Sequence, residues 1–327
     1  MQNTEDQTPK VSVIVPVHGV EKFVEHCAVS LMEQTLDGVE CIFVDDCTPD
    51  SSVDIIRDVI SRYPDRDARI VSHSVNRGLP SARNTGLGLA TGKYVYHCDG
   101  DDWIEPDMLE LLLRKGEETG ADIVMGDFRF ALPDRDVAVL LPDWDDSKTT
   151  SLNRYITFVW TCVWGGIHRR SLYEEHQLQS PRGVTYCEDF HLIVRLCYFA
   201  RNVVNVHRPF YHYRQREGSV MHNRNKKTER DEQWVYQDII RFFKEQGVYD
   251  DYRKNMCWRM LKATQELVLD KSTWKAFQEM VPEKKHYIWD CPYINRKLKM
   301  NMWCLTHHLS WISQLMLNLR KLRHGRI

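Results

Sequence analysis

Short apolar segments alternate with helix-compatible segments through the first part of this chain. Residues 11–15, 39–44 and 93–98 are strand-like, and each precedes a segment whose apolar residues recur at helical spacing. Alternation of this kind predicts βαβ units, which build a mostly parallel, Rossmann-like sheet flanked by helices. The predicted fold class is therefore α/β, with a nucleotide-sized crevice at the carboxyl ends of the strands.

The composition is that of an ordinary globular protein. The 327 residues are 43% hydrophobic and 28% charged, which is enough apolar material for one large or two modest domains. The formal net charge of −2 gives no global basic field, so the composition argues against a nucleic-acid partner.

The N-terminal residues and the cysteines indicate the compartment. Residues 1–9 are polar and lack the apolar stretch of a signal peptide, and we expect them to form a disordered tail. No apolar run is long enough to span a bilayer. The ten cysteines include no C-x-x-C pair, which is typical of reduced thiols in a cytoplasmic protein.

Three carboxylates follow the strand at 93–98. They belong to Asp99-Gly100-Asp101-Asp102, and a fold has no stability reason to crowd them at the end of a core strand. Mg²⁺ and Mn²⁺ bind through one or two carboxylates together with the phosphates of a substrate. Asp99, Asp101 and Asp102 are therefore candidate metal ligands, and a solvated acidic turn is the alternative interpretation.

A second acidic pair, Asp45 and Asp46, follows the strand at 39–44. A carboxylate at this edge of an open α/β sheet can accept hydrogen bonds from a nucleotide base or from ribose hydroxyls. A turn stabilised by aspartate side chains, helped by Thr48-Pro49-Asp50, explains the pair equally well.

The loop and helix at 76–86 offer donors for a diphosphate. Arg77, Gly78 and Arg83 supply a flexible backbone, N–H groups at a helix start and two guanidinium groups. A capped surface helix with solvated arginines is the other interpretation. The chain has no G-x-x-x-x-G-K-[ST] loop, and Pro16-Val17-His18-Gly19 stands where a G-x-G-x-x-G turn would follow the first strand. Both absences argue against a P-loop or a nicotinamide dinucleotide site.

Two further polar groups lie later in the chain. Glu188 and Asp189 open an amphipathic helix at 188–199, where acidic residues also commonly satisfy the helix dipole. Arg214 follows a strand-like segment at 202–213 and can either close over a pyrophosphate or remain an ordinary surface charge.

Taken in order, these motifs resemble those of the family 2 glycosyltransferases, which have the GT-A fold. The resemblance covers residues 10–221, and it predicts a catalytic domain at 10–222 followed by a helical C-terminal region at 223–327. The matching positions are the strand at 11–16, Val44-Asp45-Asp46, Asn76-Arg77-Gly78 with Ala82-Arg83-Asn84, Asp99-Gly100-Asp101-Asp102, Trp164-Gly165 with Arg169-Arg170, Glu188-Asp189, and Tyr213-Arg214 with Ser219.

The resemblance implies a metal-dependent, inverting transfer of a sugar from a nucleotide-sugar, most often a uridine one, to an acceptor hydroxyl. Asp189 is implied to be the general base, and Glu188 to orient that base or the acceptor. Asp45 or Asp46 should contact the donor's base, Asp99 should lie near its ribose, and Asp101 should ligate Mn²⁺ or Mg²⁺ across the two phosphates. The remaining candidates for donor binding are Pro16, His18, Arg77, Gly78, Arg83, Gly100 and Arg214.

Two positions depart from the family's usual residues. Gly100 occupies the variable position of the acidic motif, and His18-Gly19 follows Pro16 in place of the more familiar aromatic or asparagine neighbours. His18 is therefore a candidate for stacking on the donor's base.

The C-terminal third lies outside the resemblance. An apolar stripe within 294–322 recurs at three-to-four spacing and precedes four basic residues, which predicts a helix that either lies on an anionic cytoplasmic membrane or packs on the catalytic domain. A membrane position would suit a lipid-linked acceptor, and we predict a glycan or lipid-linked acceptor of cell-surface polysaccharide assembly. The stripe is Met302, Leu305, Leu309, Ile312, Met316 and Leu319, and the basic residues are Arg320, Lys321, Arg323 and Arg326.

Two other functions compete with this interpretation. A catalytically silent module on the same fold could bind a nucleotide-sugar or a glycan without transferring it. A nucleotidyltransferase also needs a metal and an α/β sheet, but it would carry a glycine-rich phosphate loop after the first strand, where this chain has Pro16-Val17-His18.

Overall fold

The computed structural model describes residues 8–158, 160–215, 225–280 and 282–324. Most of the predicted tail at 1–9, Ser219 and the predicted boundary at 222–223 lie outside these ranges. The chain divides into two compact units, Met1–Leu152 with Trp160–Glu232, and Asn153–Val159 with Gln233–Ile327.

The first unit begins with the predicted alternation of strands and helices. β1 is buried along its whole length, as expected of a central strand covered by helices on both faces. Gly120, with a left-handed φ of 64°, ends α4. The elements are β1 Val11–Val17, α1 Val24–Met32, β2 Val39–Asp45, α2 Ser52–Arg62, β3 Asp67–Ser72, α3 Leu79–Leu89, β4 Tyr94–His97, β5 Trp103–Ile104 and α4 Met108–Thr119.

The remaining elements complete the sheet and then become helical. The sequence did not predict the short strands β5, β7 and β8. These elements are β6 Ile123–Ala131, β7 Asp136–Val139, α5 Lys148–Thr157, β8 Gly166–Arg169, α6 Arg170–Glu175, α7 Glu188–Phe199, β9 Val203–Arg214, α8 Lys226–Glu245, α9 Tyr249–Ala263, α10 Trp274–Glu279, α11 Arg296–Thr306 and α12 Ser310–His324.

Within the described residues, nine strands form one sheet in the order β3-β2-β1-β4-β8-β6-β9-β5, with β7 paired to β6. The strands β3, β2, β1 and β4 are parallel, whereas β8 runs antiparallel to both β4 and β6. Beyond β6 the pairing is mixed, since β9 is parallel to β6 and antiparallel to β5. The predicted α/β fold class is confirmed, with a parallel first half and a mixed second half.

The second unit is helical and has a core of its own. Met302 and Leu305 of α11 are fully buried in that core together with Leu317 of α12. The predicted single helix at 294–322 is wrong, because the chain breaks between α11 and α12 at His308, whose φ is 61°. Part of the predicted apolar stripe therefore serves the core of its own unit. Among the described residues, no helix combines the length and apolarity needed to cross a membrane.

Candidate active site

The carboxyl ends of β1, β2 and β4 lie side by side and present the predicted acidic residues. The parallel register sets Val17 beside Asp45 and Ile14 beside His97. The N–H of Asp46 still donates to the Val17 carbonyl at 3.0 Å, so the chain leaves β2 along its neighbour. The two acidic motifs, which are about fifty residues apart in sequence, therefore reach one edge of the sheet.

The side chain of Arg83 joins residues from three parts of the chain. It is fully buried in α3, and its Nη2 donates to Asp99 Oδ1 at 2.8 Å. Its Nη1 donates to Glu188 Oε1 at 3.2 Å and also to Asp189 Oδ1. The predicted general base, its neighbour and Asp99, the first aspartate of the acidic loop at 99–102, thus surround a single guanidinium group.

Burial shapes the proton affinities of this cluster. It raises the pKa of both Glu188 and Asp189, and the Arg83 charge only partly opposes this effect. Burial alone would lower the pKa of Arg83, but the surrounding carboxylates, Asp189 first, raise it instead. Asp189 Oδ2 also accepts a hydrogen bond from the Val163 N–H at 3.4 Å, which helps to fix its orientation. The arrangement keeps a carboxylate of increased basicity in a defined position.

The three aspartates of the acidic loop at 99–102 have different surroundings. Asp102 is buried, and it accepts hydrogen bonds from the Tyr211 hydroxyl at 2.5 Å and from the Arg214 N–H at 2.7 Å. Burial, followed by the charges of Asp101 and Asp99, raises its pKa well above the usual range. Asp99 and Asp101 are partly exposed. Asp102 therefore anchors the loop, while Asp99 and Asp101 are the two that present carboxylates toward solvent.

The donor set suits a cation that is shared with a ligand. In the described ranges, no group of three or more His, Cys, Asp or Glu side chains is arranged to hold a metal ion by itself. Two partly exposed carboxylates match the number that Mg²⁺ usually takes from a protein when substrate phosphates complete its shell. The residues present fit a divalent cation on those terms, and the ligand roles of Asp99, Asp101 and Asp102 remain predictions.

Arg214 braces the acidic loop from the end of β9. Its Nε donates to the Asp101 carbonyl at 2.8 Å, and its guanidinium carbon lies 4.6 Å from the ring centroid of Trp103 and 5.1 Å from that of Phe23. Trp103 in turn stacks on His26 at a centroid distance of 4.5 Å. The contact of Arg214 with a pyrophosphate stays a prediction, and the structure adds that Arg214 holds the backbone of the acidic loop at 99–102.

The two aspartates of the second acidic pair, Asp45 and Asp46, also have different surroundings. Asp46 is buried and accepts hydrogen bonds from the N–H groups of Arg77 at 2.8 Å and Gly78 at 2.6 Å, and it lies 2.7 Å from His73 Nδ1. Asp45 is only partly buried, and one of its oxygens accepts from a backbone N–H in the following turn. Asp46 therefore shapes the loop at 76–78, and Asp45 is the better placed of the two for an external partner.

The turn after β1 carries the remaining candidates. His18 is exposed and its Nε2 lies 3.1 Å from Nδ2 of Asn76, so the two loops meet at this edge. Pro16 is buried, and its carbonyl oxygen would lie only 3.0 Å from a Cβ added at Gly100. The small residue at position 100 is therefore required for close packing of the acidic loop on β1. The Arg77 side chain is exposed at the same edge.

Comparison with known proteins decides the family. The family model described as Glycosyl transferase family 2 matches residues 12–176. The chain is also 34% identical over 262 residues to EpsH, a protein of Bacillus subtilis (strain 168) assigned to the glycosyltransferases. The aligned region covers 76% of this chain and 74% of EpsH. The chain belongs to glycosyltransferase family 2. It is therefore an enzyme of the glycosyltransferase class.

Solved structures of two other proteins support the fold of this glycosyltransferase. S. aureus TarS 1-349, crystallised in complex with UDP-GlcNAc, matches with a TM-score of 0.70 at 18% identity, over 92% of each chain. The mannosyltransferase PcManGT from Pyrobaculum calidifontis, in complex with GDP-Man and Mn²⁺, matches with a TM-score of 0.56 at 16% identity, over 95% of this chain and 84% of that one. These matches confirm the predicted GT-A fold.

Several residues that build the site in this glycosyltransferase were not predicted from the sequence. His73 supports Asp46, the Val163 N–H orients Asp189, and the Tyr211 hydroxyl binds Asp102. Each partner is separated from its carboxylate by more than twenty residues, and no pattern in the sequence links the two. Only the tertiary structure identifies these contacts.

Proposed function

We propose that this glycosyltransferase moves a sugar from a nucleotide-sugar, and specifically a UDP-sugar, to an acceptor hydroxyl by a metal-dependent, inverting reaction. The observation that carries the proposal is the convergence of Asp99, Glu188 and Asp189 on Arg83 at the carboxyl edge of the parallel strands. The UDP-GlcNAc bound by TarS and the GDP-Man bound by PcManGT support a nucleotide-sugar donor.

The donor would lie across the carboxyl ends of β2 and β4. Asp45 accepts hydrogen bonds from the base, with His18 at hand for stacking, and Asp99 reaches the ribose. Asp46, Pro16 and Gly100 are buried, so they support the donor site by shaping its loops and do not contact the donor. The exposed Arg77 side chain faces the same edge and suits a phosphate.

Asp101 and Asp99 would hold the metal ion, together with the phosphates of the donor. Mn²⁺ or Mg²⁺, when bound there, neutralises the charge that develops on the leaving diphosphate. Arg214 fixes the backbone at Asp101, and Asp102 ties the same loop to Tyr211, so the two ligand carboxylates are presented from a braced loop. The Mn²⁺ in PcManGT supports a divalent metal.

Asp189 removes the proton from the acceptor hydroxyl as the hydroxyl oxygen attacks the anomeric carbon. A raised pKa makes this carboxylate a stronger base, closer to the working pH of the enzyme. Glu188 lies beside it on the same guanidinium group and holds the acceptor or the base in orientation. Attack from the side opposite the leaving diphosphate inverts the anomeric centre in a single displacement.

The acceptor in this proposal is a glycan or a lipid-linked glycan of cell-surface polysaccharide assembly. A lipid-linked acceptor resides at the inner face of the cytoplasmic membrane, so the proposal includes a cytoplasmic enzyme in peripheral contact with that face. The basic C-terminal sequence supports such contact.

The test is hydrolysis of a panel of UDP- and GDP-sugars by the purified protein with Mn²⁺, followed through the released nucleoside diphosphate. We expect slow turnover of one donor, which EDTA and the substitution Asp101→Ala abolish. The matched control is Asp37→Ala, which removes a carboxylate that is 96% exposed. If no donor turns over, calorimetry with UDP and Mn²⁺ separates the alternatives. Binding without turnover would mean either that the acceptor is obligatory for turnover or that the site only binds, and absence of binding would contradict the donor site.

A further inference from the structure

One face of α12 exposes large apolar side chains. Trp311, Leu315 and Leu319 are 67%, 52% and 53% exposed. They are spaced four residues apart, so they form a single stripe along the helix. We call these three residues the outer stripe.

The opposite side of the same helix already serves the core. Ser313 is fully buried and Leu317 is 8% exposed, and Leu317 packs in the cluster that contains Met302 and Leu305. Positions 313 and 317 lie about 200° around the helix from 311 and 315, given 100° per residue. The outer stripe is therefore not needed to dock α12 on its own unit, and folding does not explain its apolar character.

Exposed apolar residues and positive charge concentrate in the same part of the chain. Six of the eleven exposed large hydrophobic residues in the described ranges lie between 289 and 319. Residues 289–324 contain six Lys or Arg and one acidic residue, Asp290, whereas the whole chain has a net charge of −2. Arg296 and Lys297, in the first turn of α11, are exposed. The remaining three exposed residues of this region are Trp289, Tyr293 and Met300.

We propose that the outer stripe of α12 docks on the surface of a bilayer that contains anionic phospholipid. Leucine side chains enter the boundary between headgroups and acyl chains, tryptophan favours that boundary, and basic residues are attracted by anionic headgroups. The helix has 15 residues, which is shorter than the roughly 20 needed to span a bilayer, so it lies parallel to the surface.

The charge of this region argues against a second copy of the chain as the occupant. Two such faces in contact would bring like charges together, whereas an anionic surface complements them. The docking itself is independent of catalysis. Its use, delivery of the enzyme to a lipid-linked acceptor, rests on the proposed function.

The experiment is co-sedimentation of the full chain with vesicles of equal parts phosphatidylglycerol and phosphatidylcholine, and with vesicles of phosphatidylcholine alone. We expect binding to the anionic vesicles that weakens as salt is added. The triple variant Trp311→Ser, Leu315→Ser, Leu319→Ser should lower the partition coefficient on the order of 100-fold. The control is Leu140→Ser, which changes a residue that is 65% exposed in the other unit and should leave binding unchanged.

A second variant tests the electrostatic part. Arg296→Gln with Lys297→Gln should weaken binding to anionic vesicles about 30-fold. It should leave the weaker binding to phosphatidylcholine unchanged. Because all the substituted side chains are exposed, we expect the same thermal midpoint for every variant.

Three results would overturn the proposal: no binding of the unaltered chain to anionic vesicles, equal binding by the triple variant, or a self-association that the triple variant removes while vesicle binding persists. Donor hydrolysis in solution separates this proposal from the proposed function. The triple variant should hydrolyse the donor at the normal rate. A chain that binds vesicles but neither turns over a donor nor binds UDP with Mn²⁺ would retain the docking surface and refute the function.

Discussion

Nη2 of Arg83 lies 2.8 Å from Oδ1 of Asp99, although one residue belongs to α3 and the other follows β4. The same guanidinium group also reaches Glu188 and Asp189 at the start of α7. A buried charge is stable only when it is paired, and this one guanidinium group is paired with all three carboxylates. The proposed base and the donor-side acid are thus positioned by a common partner.

Replacing Arg83 should lower the stability of the fold. In Arg83→Met the three carboxylates lose their buried counter-charge, and we expect a destabilisation of about 3–5 kcal/mol near pH 7. The loss should shrink at lower pH, because burial already raises the pKa of Glu188 to about 7 and that of Asp189 in the same direction. Removal of Arg83, which lowers both pKa values, favours protonation further and so relieves the unpaired charge. Urea unfolding at pH 7 and pH 5 measures the effect. Arg57→Met, at a 67% exposed arginine paired with Asp54, is the control and should change stability by less than about 1 kcal/mol. A small, pH-independent effect of Arg83→Met would contradict this account.

Asp189→Asn should separate chemistry from donor binding. The amide cannot accept the acceptor's proton, and removal of a general base typically costs about 10²–10⁴ in rate. Its Oδ1 can still accept from Arg83, so UDP affinity measured by calorimetry should stay within about threefold. Glu188→Gln should reduce the rate less than Asp189→Asn does, because Glu188 orients the base or the acceptor and does not itself remove the proton. Full transfer by Asp189→Asn would refute the base assignment.

The sequence predicts much of the fold and the location of the site, because strands, helix starts and acidic clusters are local patterns. Asp45 and Asp99 follow predicted strands, and the parallel register brings both to one edge. The short strand β5 escaped prediction because two residues, Trp103 and Ile104, carry no periodicity.

The sequence does not predict which aspartates of each acidic cluster are buried in internal hydrogen bonds and which are partly exposed. Asp46 and Asp102 look like Asp45 and Asp101 in the sequence, yet their oxygens are used by His73 and Tyr211, which are distant in the chain. The amphipathic C-terminal pattern gave one long helix because its spacing continues across His307 and His308. The tertiary core, which takes Met302 and Leu317 from two separate helices, decided otherwise.

His168 should make the fold sensitive to acid. It is fully buried with Nδ1 3.0 Å from the Tyr173 hydroxyl, and burial lowers its pKa to about 3 from an ordinary 6.5. Between these values the unfolded chain binds one more proton than the folded chain, so the stability contribution is complete above pH 6.5 and falls as the pH is lowered. The loss is at most about 1.4 kcal/mol per pH unit.

The variant His168→Gln tests this linkage. It should be less stable than the unaltered chain at pH 7, because packing is lost, but the difference should narrow by pH 5. The neighbouring buried His97 titrates in both proteins, and most of its contribution is common to the two, because burial and Arg83 lower its pKa more than His168 does. Thermal or urea unfolding from pH 7 to pH 5 measures the free energy of unfolding of both proteins as a function of pH. Parallel pH dependences would show that His168 does not cause the acid sensitivity.

A larger residue at position 100 should destabilise the acidic loop for steric reasons. An added Cβ would lie 3.0 Å from the Pro16 carbonyl oxygen and 3.4 Å from Val20 Cγ2, which forces the acidic loop away from β1. We expect Gly100→Ala to cost about 1–3 kcal/mol in stability. Because the loop presents Asp99 and Asp101, affinity for UDP with Mn²⁺ should fall as well. Gly88→Ala in α3 is the control, since its Cβ meets nothing within 4 Å, and it should stabilise the fold by about 0.5–1 kcal/mol. Unfolding and calorimetry on the two variants decide the matter, and normal UDP affinity in Gly100→Ala would mean that the loop position does not govern donor binding.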